Sequence, residues 1–140
     1  MRPLVIVGCC LLVTGCMKKS DMEPLPPVTG VVVIPYETAV SFGPRLSNDK
    51  VPALVAFIDS RRTDWTRAYG VGFGLPRPVY YAHLYQGETY IGYFGVGAGV
   101  LPGGAALFEV RYGKIYARKR VAKSEANHFL DLVGIGGELR

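Results

Sequence analysis

The chain has 140 residues and a mass of 15.2 kDa, room for one domain and no more. Hydrophobic residues at 49% and charged residues at 19% exclude a disordered chain, and a net charge of +5 is too small for a tail that coats nucleic acid. All three cysteines, Cys9, Cys10 and Cys16, fall in the first sixteen positions, which excludes a disulfide framework or a cysteine zinc site in the body.

Arg2 is followed by an apolar run over 3–13. As a helix this run would span roughly 17 Å, against about 30 Å for a hydrocarbon core, so it reads as the h-region of a signal peptide rather than a membrane span. It ends in Val13-Thr14-Gly15-Cys16, small residues leading to a cysteine, before a polar switch at Lys18-Lys19-Ser20-Asp21. Ile6-Val7-Gly8-Cys9 fits the same four-residue pattern, but the apolar segment before it is too short. The segment ending at Cys16 resembles the lipobox of bacterial lipoproteins. That resemblance implies cleavage between Gly15 and Cys16, lipid on the Cys16 sulfur and acylation of its new amino group. Several acyl chains at about 0.8 kcal/mol per buried CH₂ would make release from a membrane slow. Residue 17 is Met rather than Asp. By the family's sorting habit this favours the outer membrane over the inner, with the body on the periplasmic side.

The expected organisation is therefore a signal peptide over 1–15, a lipidated cysteine and proline-rich tether over 16–29, and one domain over 30–140. Gly30 to Ile34 is a β-branched run that predicts a strand, with a weakly alternating extension over 36–42. Asp49 is placed to cap a helix starting near Lys50, with Pro52 in its first turn. Val51, Leu54, Val55 and Ile58 make its apolar stripe, and Arg61 and Arg62 lie at its C-terminal end. The stretch from Trp65 to Pro78 is broken by glycine and proline and reads as loop. Two hairpins follow, 79–86 with 89–96 around Gly87, and 106–112 with 114–121 around Gly113. A last helix is predicted with Ser124 as N-cap, a stripe of Ala126, Phe129, Leu130 and Val133, and a stop at Gly134-Ile135. The sum is an α+β fold: a small antiparallel sheet of about four to five strands with two helices packed on one face.

The inventory for catalysis is thin. His83 sits in an apolar and aromatic strand and reads as a partly buried strand histidine; His128 lies beside Phe129, off the helix stripe, and reads as surface. Asp59, Asp64, Glu88 and Glu109 have no spacing that pairs them, and are read as solvated charges. No HxxxH-like or DxD-like spacing suggests a metal. The glycine runs over 70–74 and 92–99 open no helix and lack GK[ST], which argues against a nucleotide site. The expectation is no cofactor, no metal and no enzymatic activity, with a small hydrolase centred on His83 as the minor alternative.

Tyrosine is abundant, 9 of 140 residues, and seven of the nine fall on the expected meander. Tyr80 and Tyr81 are adjacent and must point to opposite faces of a strand, so the core cannot hold both. Some phenol rings should face outward as amphipathic contact area. In the last strand Tyr116, Arg118 and Arg120 share a face, opposite Ile115, Ala117, Lys119 and Val121. Tyr80, Tyr116, Arg118 and Arg120 are the binding candidates. The reading is a membrane-tethered, non-enzymatic periplasmic binding or envelope-assembly module that grips an envelope protein or a cell-wall polymer, and neither nucleic acid nor a nucleotide. The alternative is an inhibitor or immunity-type lipoprotein that blocks a toxin or lytic enzyme with a protruding loop over 95–104 or 70–78.

Overall fold

Antiparallel pairing fixes which residues share a face, because partners across the ladder point the same way. The computed structural model describes residues 19–35, 43–67, 79–98 and 105–136. The described elements are β1 (Lys19–Ser20), β2 (Gly30–Pro35), α1 (Val51–Asp59), β3 (Trp65–Arg67), β4 (Tyr80–Gln86), β5 (Thr89–Ala98), β6 (Ala106–Tyr112), β7 (Ile115–Val121) and α2 (Lys123–Leu132). The strands form one sheet in the order β1-β3-β7-β6-β5-β4-β2, every pair antiparallel. The fold is thus mostly-sheet α+β with two helices, and the sheet has seven strands rather than four to five.

The central meander follows the glycine and tyrosine pattern. Gly87 and Gly113 have φ of 60° and 57° at the first central position of their two-residue turns, the conformation a type II′ hairpin requires. β5 passes so close to β6 that a Cβ on Gly92 would lie 2.1 Å from the Arg111 carbonyl oxygen, so only glycine fits there.

One face of the sheet meets both helices. Val33, Ala82, Phe94, Val110 and Ala117 form a row of register partners across five strands, all buried. Phe57 of α1 packs edge-on to Phe94 and Phe108, and Phe129 of α2 closes the cluster at 5.3 Å from Phe94. Edge-to-face and tilted rings at these separations add to the burial term. Trp65, fully buried, joins at 5.9 Å from Phe94 and donates its indole N–H to the Arg61 carbonyl at 2.6 Å.

The helix ends differ from the expected caps by one or two residues. α1 is preceded by Lys50 rather than capped by Asp49, and α2 by Ala122 rather than Ser124; neither N-cap makes a side-chain hydrogen bond. In α1 Pro52 falls in the first turn, where its missing N–H leaves no donor unpaired. Its last carbonyls are taken by Ser60 and Arg61, both donating to the Phe57 oxygen, and by Arg62 donating to Asp59. α2 stops as expected: Gly134 N–H donates to Asp131 and Ile135 N–H to Leu130, the paired bonds of a Schellman motif.

Two segments expected as tether and loop are part of the folded body. β3, at the start of the glycine-broken stretch, links β1 to β7. The proline-rich segment is an extended strap between opposite edges of the sheet. From β1 to β2 is six strand spacings, about 29 Å, and ten residue steps in polyproline II cover about 31 Å. Pro24, Pro26 and Pro27 therefore suit a stretch that must be almost fully extended. The strap is tied down along its length. Met22 N–H donates to Arg62, Leu25 N–H to the Asp59 carboxylate and Thr29 N–H to Tyr85, while the Tyr112 hydroxyl donates to the Pro24 carbonyl. Met22 is 3% exposed, and Leu25 and Val28 pack on the core. The possible strand extension over 36–42 lies outside the described residues.

A free tether would tolerate truncation of Met22 at no cost. Met22→Ala is expected to lower the unfolding free energy by about 2–4 kcal/mol in urea denaturation, as for other buried methionines; a change within about 0.5 kcal/mol would show that the strap does not contribute to the core.

Candidate binding face

The face of the sheet opposite the helices carries an aromatic and cationic set, arranged in rows by the register. One row runs Val32, His83, Tyr93, Arg111, Tyr116 across β2, β4, β5, β6 and β7. The next runs Ile34, Tyr81, Gly95, Glu109, Arg118 and ends at Thr66 of β3. Below the first row Gly30, Tyr85 and Tyr90 are partners; the register shifts between Leu84 and Tyr85, where Ile91 is the extra residue on β5. Tyr116, Arg118 and Arg120 lie together on this face. Tyr80 does not: its partner is Val96, and its ring packs against the core on the helix side, so it is removed from the binding set. Of the adjacent pair Tyr80 and Tyr81, it is Tyr81 that faces outward.

Glu109 is not solvated. It is 2% exposed, flanked in the ladder by Gly95 and by Arg118. Its two oxygens accept from the Tyr93 hydroxyl and the Arg118 Nε, each at 2.7 Å. Burial works against the Arg118 charge, whose side chain is only 19% exposed, but the Glu109 carboxylate and the Tyr116 hydroxyl together outweigh it and hold the guanidinium pKa above its ordinary value. Burial, then the hydrogen bond to Glu109, pushes the Tyr93 phenol far above the usual tyrosine range, so it stays a donor at any physiological pH. Arg118 Nη2 reaches the Tyr116 hydroxyl at 3.5 Å, while its Nη1 is buried with no hydrogen-bond partner among the described residues. A buried donor left unmade costs about 1–3 kcal/mol. Arg118 is therefore an internal counter-ion that fixes Tyr93 and Tyr116, rather than a free gripping side chain.

Tyr93 in turn anchors an aromatic cluster. His83 stacks on it at 6.0 Å and 27°, Tyr81 meets it edge-on at 4.9 Å, and His83 is 5.3 Å from Tyr90, which packs on Tyr85 at 5.6 Å. Tyr90 is 48% exposed, one of two large hydrophobic side chains open to solvent among the described residues. A cleft of about 260 Å³ opens beside it, lined by Tyr90, Tyr93, Arg111 and Tyr112, with Gly92 and Gly113 giving it depth. Burial raises the Tyr90 pKa as well, so the phenols are neutral and the positive charge at the cleft comes from Arg111, which is exposed.

His83 is held by rings, not by acids. Burial lowers its pKa from 6.5, and no other cause contributes. No group of three or more His, Cys, Asp or Glu side chains gathers as a metal set among the described residues. His128 is exposed on α2 and touches Phe57 edge-on at 5.3 Å. Asp64 pairs with Lys19 at 2.6 Å, and the hydrogen bond and charge of that lysine lower its pKa. Of the two loops suggested for an inhibitor, residues 95–98 belong to β5, while 99–104 and 70–78 lie outside the described residues. Reading residue types alone missed Glu109, Tyr93 and Arg111. The available signal was period-two alternation in β6, where Glu109 shares a face with Leu107 and Arg111. No family model, curated protein or solved structure matches the chain.

Glu109→Gln leaves the Arg118 charge buried without its counter-ion and is expected to cost about 3–5 kcal/mol in urea denaturation. The double variant Glu109→Leu with Arg118→Met should recover most of that loss, and a single-variant cost under about 1 kcal/mol would mean the pair is effectively solvated. For His83 the folded pKa is depressed, so the unfolded chain binds the extra proton. Its contribution is present above pH 6.5 and is lost as pH falls through the lower folded value. An NMR titration of His83 should show a midpoint under 6.5, and His83→Phe should flatten the fall in stability on the acid side.

Proposed function

We propose that this chain is a lipid-anchored envelope protein that works by binding, not by catalysis, and that it takes an acidic or aromatic segment of a protein partner onto the outward sheet face around Tyr90 and Arg111. The observation that carries the reading is the cluster itself: five aromatic side chains in mutual contact, an exposed arginine and a side-chain-sized cleft on one rigid sheet. Tyrosine and arginine dominate binding hot spots because they give large contact area at low conformational cost. The cleft of about 260 Å³ suits one inserted side chain better than the long groove that a polymer would need. The buried pair beneath it supports the same reading. A buried ion pair is weak evidence for stability, since apolar replacements are often neutral or better, whereas an ion pair that locks the tilt of Tyr93 and Tyr116 prepares a surface before a partner arrives.

The anchor half of the proposal comes from the lipobox-like Val13-Thr14-Gly15-Cys16 and from the polar residues after it. Among the described residues no helix is long and apolar enough to cross a membrane. The motif alone supports assigning the attachment to Cys16, and Met17 favours the outer membrane.

The test is site-specific photo-crosslinking in the native cell, with the reactive group placed at Tyr90, at Arg111 or, as a control on the helix side, at Asp131. The expected result is one discrete protein adduct from positions 90 and 111 and none from 131. Arg111→Glu should abolish the adduct at position 90, a loss of at least about 30-fold if Arg111 contributes about 2 kcal/mol. Equal adducts from both faces, or none from either position on the sheet, would overturn the proposal.

A further inference from the structure

The folded body begins almost at the anchor. Lys19 already pairs with Thr66 and Ser20 with Trp65, so β1 is the outermost strand on one edge of the sheet. Only three residue steps separate Cys16 from Lys19, and at full extension they reach about 11 Å. The strap that follows is committed to the body from Met22 onward and supplies no slack. We infer that the β1–β3 edge of the sheet is held against the bilayer surface by this leash, with the strands of the sheet stacked outward from it. The inference rests on the lipid at Cys16 proposed above.

The edge is suited to that position. Lys19 donates to Asp64, Arg67 donates to the Ser20 hydroxyl, and Lys119 donates to the Thr63 carbonyl, which places three cations along it. Asp21 and Asp64 lie among them, and the Asp21 carboxylate accepts from the Asp64 N–H. Phosphate-bearing headgroups are therefore not repelled, although the charge excess is small and the leash sets the distance. An open sheet edge is also a site for unwanted strand pairing, and a bilayer alongside it blocks that approach. At about 4.8 Å per strand, Arg111 on β6 stands roughly 14 Å and Tyr90 on β5 roughly 19 Å from the leash edge. A partner using that patch must come within this distance of the same membrane.

Trp65 is the one tryptophan of the chain and lies opposite Ser20, one strand from the leash. It serves as the donor for energy transfer to a dansyl-labelled headgroup lipid. The mature protein, lipidated in a lipoprotein-processing host and checked by mass, is reconstituted in phosphatidylcholine vesicles that carry this lipid. A second form carries a Gly/Ser insertion of about 20 residues between Lys18 and Lys19, which adds roughly 25 Å of reach. An unchanged tryptophan emission maximum without acceptor verifies that both bodies are folded. The expected result is strong transfer with the native leash, insensitive to high salt, and a fall of at least about two-fold with the insertion once roughly 25 Å of slack is available. Equal transfer in both forms, with both lipidated and floating with the vesicles, overturns the leash and leaves the anchor intact. An unmodified Cys16 in a protein that does not float overturns the anchor itself.

Discussion

Glu109 sits in the middle of the central strand β6, where both faces of the sheet are closed to water, and a carboxylate there must have a cation and donors within reach. The ladder supplies them. Arg118 is its register partner on β7, and Tyr93 is on the neighbouring strand β5. This one requirement fixes the rest of the outward face. Tyr93 cannot rotate without breaking its bond to Glu109, His83 and Tyr81 pack on Tyr93, and Tyr90 packs on His83. A chain of contacts thus runs from a buried charge to Tyr90, a ring open to solvent.

The sheet face and the helix face answer different demands. Behind β5 and β6 the Phe57, Phe94, Phe108 and Phe129 cluster supplies non-directional burial, which any similar set of apolar side chains would approximate. In front, Val32, Ile34 and Leu107 are apolar, but the centre of the face is built from side chains with polar tips, and Tyr93, Glu109, Arg118 and Tyr116 have defined partners. The front is therefore the face on which a particular orientation matters, and the binding proposal is placed there for that reason.

How much of this was legible in the chain depends on whether the signal was local. The two hairpins were legible because Gly87 and Gly113 punctuate β-branched and tyrosine-rich runs. α2 was legible because its apolar stripe and glycine stop lie within one helix length. β3 was not, because three residues beside a glycine-rich stretch acquire strand character only when β1 and β7 flank them. Met22, Leu25 and Val28 carry no periodicity that marks burial, and proline-rich composition suggests a solvated tether as readily as an extended strap. Tyr80 and Tyr81 were known to face opposite ways, but which of them faced out was set by strand pairing with Val96 and Gly95. Glu109 read as an ordinary surface acid because its burial comes from neighbours 9 and 16 residues away.

The strap also sets an order of events. Residues 19–20 and 30–35 close the two opposite edges of the sheet, yet their partners β3 and β4 lie about 45–55 positions later, and β3 itself pairs with β7. β1 has no supported partner until β7 is available, late in the chain. Closure of the β1–β3 edge must therefore wait for β7, although the hairpins of the meander are local and can pair earlier. In the interval the strap and the open β7 edge of the meander are exposed, which is when a holding chaperone would have its opportunity to engage them.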